Sequence, residues 1–423
     1  MFPVQAVYSL TGLQPCSAEA HRFMAFYEGI GYMIDKPTIV LDIGNAYVKL
    51  GFSAELSPRR ILPTEQLLCI PKLGPKPLTD LSNGGDEADA AFVHLFYEIF
   101  FRHLLLSPKD RRVVIVESVL TPSELRSTMA KVLFTRYEVM SVMFAPNCLC
   151  SCLPLGLQTA LVVDVGYRGT QVLPVFDGIS LLHSIQTSTA GSQAVHRRLK
   201  ELIQKRCTVF VGTNQVSMAE YGELLDDKTL ENLAARLCFV TRRERGIAYQ
   251  TEDENSPQLP EPPPKVEYPL DKEKILIVEG AVREAAAEVL FEHNEDDMSI
   301  PQLILEAIIK CPIDTRRSMI EGILVVGGGC MLPGFMSRLK EELLESLENA
   351  TKYGDKLSFR TAKFFKARTK ENCMAWLGGS IIGSLEILPY RSVSRTDYEK
   401  SGRITDWIDQ SMANVNENGL SSG

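Results

Sequence analysis

The distribution of apolar and polar residues predicts a β-hairpin early in the chain. Two stretches, "PTIVLDIG" and "AYVKLGFSA", alternate apolar and polar positions on either side of a short turn. Alternation with a period of two is typical of strands that bury one face. Farther along, "AAFVHLFYEIFFRHLLL" carries apolar residues at helical spacing, and "RRVVIVES" indicates a buried strand. The pattern therefore predicts a chain in which strands and helices are mixed.

The hairpin pattern occurs a second time, in "TALVVDVGYRGTQVLPVFDG". Each copy has an apolar run, an aspartate, one residue, a glycine and an outgoing strand. The aspartates and glycines of the two copies are Asp42, Gly44, Asp164 and Gly166. A third glycine-rich stretch, "GILVVGGGCMLPGFMSRLKEELLESL", indicates a strand, a turn and a helix whose first amides are free. Two copies of one unit predict a duplicated α/β domain with a site between its halves.

Length and composition fit this prediction. The chain has 423 residues, of which 45% are hydrophobic and 23% are charged, so two domains with a large core can form. Its net charge of −8 gives no overall attraction to nucleic acid or anionic lipid. No apolar run reaches the roughly 18 residues of a membrane span. We therefore expect no nucleic-acid partner and no membrane insertion.

The ten cysteines are spread along the chain, as buried thiols of a reducing compartment would be. The exception is "CLCSC", with Cys148, Cys150 and Cys152. On a strand these thiols would share one face, whereas on a helix neighbouring thiols of the set would point apart. Because no histidine or CxxC partner lies nearby, we expect buried small apolar residues rather than a zinc site.

Several motifs together resemble the actin-related proteins of the actin and sugar-kinase ATPase superfamily. The resemblance runs from about Thr38 to about Trp407 and is carried by "VKLGFSAELSPRRILPT", "VVGGGCMLPGF", "AWLGGSIIGSL" and "YEKSGRI". Within that family, three stretches most resemble the divergent branch at the pointed end of dynactin, the dynein activator. They are "HLLLSPKDRRVVIVES", "IIKCPIDTRRS" and "RSVSRTDYEKSGRITDW".

The resemblance implies an actin-like fold of the duplicated ribonuclease H-like ATPase type, in which two large α/β domains surround a cleft. Each domain is divided into a larger and a smaller subdomain. An N-terminal arm is expected at 1–34, and the sequence leaves open whether it is ordered. Subdomain 1 comprises 35–63, 80–154 and 373–407, and a shortened subdomain 2 comprises 64–79. Subdomain 3 comprises 155–190 and 270–372, subdomain 4 comprises 191–269, and a tail follows at 408–423.

The resemblance also implies a residual nucleotide site in the cleft. The positions that match its motifs are Asp42, Gly44, Asn45, Lys49, Asp164, Gly166, Arg168, Gly327 and Gly328. Asp42 and Asp164 would hold a hydrated Mg²⁺ or Ca²⁺ through water. The expected cofactor is ATP or ADP with magnesium, bound without hydrolysis, and a cleft without nucleotide is the open alternative.

Departures from the actin pattern predict that the protein is not an enzyme. Ala46 adds a Cβ where actin has glycine, and Tyr167 replaces a metal-orienting aspartate. Asn147 and Gln171 stand where actin has its hydrolytic glutamine and that residue's histidine partner. The positions around the base are also changed, at Ala234, Ala235, Leu332 and Asn372. Since a misplacement of about 1 Å can lower a rate by roughly 10²-fold, we expect no appreciable turnover.

The passage between Pro63 and the helix near Ala90 is short. Actin carries there a finger that inserts into the next filament subunit, whereas here only 64–79 remains, with Pro71, Pro75 and Pro77 in it. Prolines remove backbone donors and make strand pairing difficult. A subunit without the finger can join a filament end and block its extension, because a heterologous interface needs both faces to propagate. The competing interpretation is ordinary variation in loop length.

The resemblance then implies these partners: an actin-like filament subunit of dynactin and pointed-end adaptor subunits, with no self-polymerisation. The filament contact would involve residues around Phe176 to Gly178 and the helix after Trp376. The basic helix that contains Arg197, Arg198 and Lys200 is either a solvated face or an adaptor-binding site. The alternatives are an ATPase of the same superfamily and a nuclear actin-related protein of chromatin remodelling. The interpretation as a dynactin subunit implies a cytoplasmic, cytoskeleton-associated protein.

Overall fold

A computed structural model describes residues 36–70, 74–212, 214–251, 261–292, 297–348, 353, 356–357 and 359–404. The predicted N-terminal arm at 1–34 and the tail at 408–423 lie outside the described residues. No helix in the part of the chain that the structure describes is long and apolar enough to cross a bilayer.

The strands, in chain order, are β1 Ile39–Ile43, β2 Tyr47–Phe52, β3 Arg60–Pro63, β4 Cys69–Ile70, β5 Gly74–Pro75, β6 Arg112–Glu117, β7 Ser141–Pro146, β8 Ala160–Val165, β9 Thr170–Phe176, β10 Ile179–Ser180, β11 Gln186–Ser188, β12 Thr208–Val211, β13 Asn214–Ser217, β14 Val266–Pro269, β15 Lys274–Val278, β16 Ile323–Val326, β17 Phe364–Phe365 and β18 Val393–Ser394.

The α-helices are α1 Thr64–Leu67, α2 Asp86–Tyr97, α3 Ser123–Tyr137, α4 Asn147–Cys152, α5 Ser192–Arg206, α6 Asp227–Leu237, α7 Arg243–Thr251, α8 Gly280–Ala285, α9 Ile300–Lys310, α10 Ile313–Ile320, α11 Phe335–Glu348, α12 Met374–Ser384, α13 Leu388–Arg391 and α14 Arg395–Ser401. A π-helix, Glu98–His103, continues α2. Short 3₁₀ helices are Leu78–Leu81, Leu153–Leu155, Leu182–Ser184, Met218–Leu224, Glu288–Leu290, Gly329–Met331 and Glu371–Cys373.

Two sheets repeat one topology, which confirms the predicted duplication. The first has the order β18-β7-β6-β1-β2-β3, and the second has the order β10-β9-β8-β16-β17, with β11 also paired to β9. In the first sheet β1 is antiparallel to β2 and parallel to β6. In the second sheet β8 is antiparallel to β9 and parallel to β16. The two halves of the molecule therefore present equivalent hairpin turns at equivalent sheet edges.

Each half has its own apolar core. The first sheet packs on α2, the π-helix and α3, with Phe92, Phe96 and Phe100 fully buried between them. The second half buries the apolar faces of α5, α6, α9 and α11 around β8 and β9. These faces follow from apolar residues at helical spacing, since such a stripe can be removed from water only against another element.

The second half also carries a smaller sheet of order β13-β12-β15-β14. In it β15 pairs with both β12 and β14, so the sheet extends to Val278. The expected end of subdomain 4 at residue 269 falls between β14 and β15 of this sheet, and the division into subdomains stays a prediction. A tight turn joins the two strands, and in it the Asp271 side chain accepts the backbone amides of Glu273 and Lys274.

The passage between β3 and α2 is as short as the sequence indicates. It consists of α1, the β4–β5 pair and one 3₁₀ turn. The pair joins only Cys69 to Pro75 and Ile70 to Gly74. A ladder of this size is what a proline-containing segment can support, because Pro75 has no N–H to donate.

Helices α4 and α12 lie at the joint between the two halves. A Cβ on Gly378 of α12 would overlap the carbonyl oxygen of Cys150, so the helices approach as closely as their backbones allow. The "CLCSC" stretch is helical, and its thiols point apart. Cys148 and Cys152 contact the second sheet and Cys150 contacts the first, and all three are buried. Among the described residues no group of histidine, cysteine and acidic side chains could hold a metal ion.

Candidate functional site in the cleft

The turn of the first hairpin is built around a glycine and an ion pair. The Gly44 amide donates to the Tyr47 carbonyl at 3.1 Å, and a Cβ on Gly44 would lie 2.9 Å from that oxygen. Asp42 and Lys49 are opposite each other on the two strands, and their Oδ2 and Nζ atoms are 2.6 Å apart. Burial lowers the pKa of Lys49, but the charge of Asp42, the hydrogen bond to it and the charges of Cys373 and Asp164 together outweigh burial, so the net shift is upward.

The second hairpin forms the same turn with different side chains. The Gly166 amide donates to the Gly169 carbonyl at 3.0 Å. Asp164 precedes this turn and accepts a hydrogen bond from the Asn147 side-chain nitrogen at 2.8 Å. Burial and the nearby Asp42 charge raise the pKa of Asp164 to about 6, against the opposing effects of Lys49 and Asn147.

Both turn tips carry amides that are not used by the fold. The backbone nitrogens of Asn45 and Ala46, and those of Tyr167 and Arg168, make no hydrogen bond within the described residues. Neighbouring free amides in a turn are a common way to bind phosphate oxygens. Arg168 is exposed at its tip, so its charge adds to that capacity. The backbone of the two turns therefore fits a phosphate group.

The third glycine-rich turn packs against Asp164, the aspartate of the second hairpin. Gly327 has a φ of +98°, and its amide donates to the Glu371 carbonyl. A Cβ there would lie 2.6 Å from Asp164 Oδ1, so only glycine fits. Gly328 has no atom within 4 Å of an added Cβ. The structure thus brings Asp42, Lys49, Asp164 and Gly327 together, whereas Asn45, Arg168 and Gly328 lie at the open side.

The Tyr167 side chain packs against another ring and lacks the carboxylate that would orient a metal ion. Its ring meets the buried His196 ring edge-on, with centroids 5.9 Å apart. Burial, together with the charges of Asp227, Glu231 and Glu65, raises its pKa. The position supplies an apolar ring and a neutral hydroxyl in place of a carboxylate. A hydrated cation would depend on Asp42 and Asp164 alone, and Asp42 is already paired with Lys49.

Both positions expected to orient water are engaged by the protein itself. The Asn147 side chain donates to Asp164 and accepts the Cys148 amide at 2.8 Å. The Gln171 oxygen accepts the Ser118 hydroxyl at 2.9 Å, and the buried Gln171 side-chain nitrogen has no hydrogen-bond partner among the residues that the structure describes. The substitutions were visible in the sequence, but the role of Ser118 was missed. Its place at the carboxyl end of a parallel strand was the available signal.

At the four positions where the resemblance places the nucleobase, the side chains make few polar contacts. Ala234 is buried, Ala235 is exposed and Leu332 packs against the core. Asn372 accepts a weak hydrogen bond from the Cys373 thiol at 3.4 Å. None of these four side chains is charged or aromatic, so none of the four provides ion pairing or stacking for a nucleobase.

The family follows from the matched span taken with this geometry. A family model described as "Actin" matches residues 86–412, which is most of the chain. The chain belongs to the actin family. The first hairpin precedes the matched span, and its place in the repeated sheet topology assigns it to the same fold.

Three curated relatives show the breadth of the likeness. Actin-related protein 10 of Dictyostelium discoideum is 26% identical, over 91% of this chain and 91% of its own length. Actin-related protein 2 of Acanthamoeba castellanii is 26% identical, over 86% of this chain and 96% of its own. Putative actin-29 of Dictyostelium discoideum is also 26% identical, with 86% and 94% covered. The chain is thus an actin-family member whose fold is kept and whose cleft has diverged.

Proposed function

We propose that this chain is a non-enzymatic structural subunit that caps the pointed end of a short actin-like filament in dynactin. It recruits adaptor subunits there and so supports dynein-driven transport along microtubules, as a cytoplasmic, cytoskeleton-associated protein. The observation that carries the proposal is the short passage between β3 and α2, whose only strands among the described residues form a two-residue ladder. Actin-related protein 10 as a relative over nearly the whole chain is consistent with it.

The missing finger explains why the filament would stop. Head-to-tail assembly needs two complementary faces, and each added subunit must offer the second face to the next one. Here the face on the side of α1 and the β4–β5 pair offers only a few residues to a following subunit. The loss falls on one contact surface while both sheets and the joint are intact, which favours capping over general decay of the fold.

The opposite end of the molecule keeps exposed apolar surface. Helix α4 starts in the cleft, where Asn147 contacts Asp164, and α12 ends where Gly383 lies beside Thr38, just before β1. Strand β9 likewise runs from the cleft turn to Phe176. The exposed apolar residues where these elements end are Leu153, Ile179, Leu385 and Ile387. We propose that these exposed apolar side chains are buried against a filament subunit.

The basic residues of α5 remain the proposed adaptor site. Arg197 is exposed, and Arg198 lies 3.7 Å from Glu292. Lys200 lines a surface cavity of about 640 Å³ together with Lys274 and the 3₁₀ helix Met218–Leu224. Because Arg198 already has an acidic neighbour, we expect Arg197 and Lys200 to contribute more to an acidic partner. Exposed charges of this kind act mainly on association rate and salt dependence.

We propose further that ATP or ADP with magnesium, where it is bound, is held by the turn amides and is not hydrolysed. The nucleotide phosphates would lie at the turns, and the protein would supply the amides, Lys49 and Arg168. Support comes from the engagement of Asn147 and Gln171 in contacts within the protein. A single-turnover assay with purified protein should show no phosphate release above buffer. Turnover at the rate of filamentous actin would contradict this part.

The capping function is tested by filament elongation. Preformed filaments of the actin-like dynactin subunit, marked at one end, are mixed with the full chain and examined by electron microscopy. Growth at the pointed end should stop, and the purified chain alone should form no filaments. Continued growth at that end, or incorporation of the chain along the filament, would show that it is not a cap.

Variants separate the two proposed surfaces. The double change Leu385→Asp and Ile387→Asp should abolish attachment to the filament, whereas Ile275→Asp, an equally exposed apolar residue of the small sheet, should not. The triple reversal Arg197→Glu, Arg198→Glu and Lys200→Glu should weaken adaptor binding at low salt and leave attachment intact. Unchanged adaptor binding in the triple variant would mean that this helix face is only solvated.

A further inference from the structure

The cleft contains a side-chain contact that joins its two walls. The Tyr47 hydroxyl lies 2.6 Å from both carboxylate oxygens of Glu231, in a partly buried position. Tyr47 opens β2, next to the free amides of the first turn. Glu231 lies in the second turn of α6, whose other face, with Leu230 and Leu233, belongs to the core of the second half. The contact therefore connects elements 184 residues apart in the chain.

The joint and the rim of the cleft are held together by different forces. At the joint, Cys148, Cys152 and Met374 bury apolar surface against β8 and β9. Gln171 and Ser118 add a hydrogen bond near that joint. The buried residues of α6 belong to the core of the second half, and none of them lies in the apolar clusters formed by α4 and α12 at the joint. Opening of the cleft about the joint would therefore separate Tyr47 from Glu231 while leaving the apolar contacts of α4 and α12 in place.

We propose that the Tyr47–Glu231 hydrogen bond is a clasp that holds the cleft closed without a nucleotide. A hydroxyl that donates to a carboxylate makes one of the stronger hydrogen bonds in proteins, because the acceptor is charged. Burial and the Glu231 charge raise the pKa of the Tyr47 hydroxyl, so it stays protonated and able to donate throughout the physiological range. Closure is then a property of the chain itself and does not need a ligand that bridges the two walls.

Closure by the clasp is consistent with the acidic side chains that lie near the two turns. Glu231 places a negative charge near the two turns, and Asp227 and Glu65 lie close enough to influence the neighbouring Tyr167. Acidic side chains at the rim oppose a phosphate there, so a bound nucleotide would gain little by taking over the bridging role. A cap that must keep one shape within an assembly is served by closure that does not depend on nucleotide exchange.

Hydrogen–deuterium exchange of the full chain tests the clasp. Two segments report on the clasp, the first turn and α6, and wild-type protein should show equal exchange at α6 with and without ATP and magnesium. Tyr47→Phe, which removes one oxygen, should raise exchange of these two segments by about tenfold, the lower range for a hydrogen bond to a charged group. Exchange in α4 and α12 should not change. Tyr390→Phe, on an exposed ring, is the matched control and should behave as wild type.

A second variant keeps the test decisive if Tyr47→Phe affects folding. Glu231→Gln retains an acceptor and removes the charge, so it should raise exchange less than Tyr47→Phe, and the double variant should be no worse than Tyr47→Phe alone. The clasp is refuted by wild-type exchange at both segments after Tyr47→Phe, by a uniform rise across all elements, or by a tenfold fall in wild-type exchange of α6 on adding nucleotide. These outcomes are independent of whether the chain caps a filament.

Discussion

The two hairpins of the cleft share a backbone and differ in the residue opposite the aspartate. In the first hairpin Asp42 is paired with Lys49, and in the second Asp164 is paired with Gln171 at the equivalent register position. Their turns close with nearly the same hydrogen bond, at 3.1 Å from Gly44 and 3.0 Å from Gly166. The two copies therefore share the geometry of the turn, whereas the charge of the residue opposite the aspartate differs between them.

This difference shows what the fold requires and what it leaves free. The glycines are needed because an added Cβ would lie 2.9 Å from the Tyr47 carbonyl oxygen at Gly44 and 3.1 Å from the Gly169 carbonyl oxygen at Gly166, each within its own turn. The charge on the cross-strand partner is not needed for that geometry. One aspartate consequently has a cation at contact distance, whereas the other has only the Asn147 amide and a raised pKa of about 6.

The largest expected effect comes from breaking the joint that holds the hairpins side by side. Gly378→Ala would place a methyl group into the Cys150 carbonyl, and neither helix backbone can move without disturbing a sheet. We expect a loss of about 4 kcal/mol in the free energy of unfolding, beyond the usual range for overpacking. Urea denaturation of both proteins measures it.

Gly328→Ala is the control for that loss. This glycine has a helical conformation, and an added Cβ meets no atom within 4 Å. Its free energy of unfolding should change by less than about 1 kcal/mol. A similar loss in the two variants would mean that the close approach of α4 and α12 has no special weight.

The next effect comes from making the first hairpin resemble the second. Lys49→Gln removes the cation that faces Asp42, and both side chains of the pair are about 15% exposed or less. Removing one partner of a buried pair leaves a charge without compensation, which costs about 3 kcal/mol. The loss should appear in urea denaturation at pH 7, and the double variant Lys49→Gln with Asp42→Asn should recover most of it. Failure of the double variant to recover would show that Lys49 acts through packing alone.

Most of this architecture could be predicted from sequence, because the signals are local. The repeated β-Asp-x-Gly-β unit predicts the duplicated sheets, and the comparison with the actin family confirms the fold. The substitutions at Asn147 and Gln171 likewise predict a changed cleft. The expected boundary at residue 269 falls between two paired strands of the small sheet, and the division into subdomains stays a prediction.

The contacts across the cleft could not be predicted in the same way. Tyr47 and Glu231 are distant in the chain, and neither lies in a motif that names a partner. The same holds for Ser118 and Gln171, whose contact depends on how two separate sheets are placed. Patterns along the chain indicate which elements form, whereas side-chain pairs across a cleft depend on the packing of whole domains. The predicted nucleotide and adaptor residues stay predictions.

A smaller effect is the pH dependence that separates the two aspartates. The unfolded chain releases the Asp164 proton near pH 4, whereas the native protein keeps it until about pH 6. Between these values the native state binds more protons, so the free energy of unfolding should fall by about 2–3 kcal/mol as pH rises. In Asp164→Asn this fall should be smaller by that amount in urea denaturation from pH 4 to pH 7. Identical pH profiles would show that Asp164 ionises normally.

The smallest effect concerns the neutral partner in the second hairpin. Gln171 accepts the Ser118 hydroxyl but leaves its own buried nitrogen without a hydrogen bond, which carries a desolvation penalty. Replacing both partners by apolar side chains, in Ser118→Ala with Gln171→Met, removes the bond and the penalty together. The free energy of unfolding should then stay within about 1 kcal/mol of wild type, whereas Ser118→Ala alone should lose about 1 kcal/mol. A loss in the double variant as large as that of Lys49→Gln would mean that the glutamine is as necessary to its hairpin as the lysine is to the other, and that the charge difference between the hairpins is incidental.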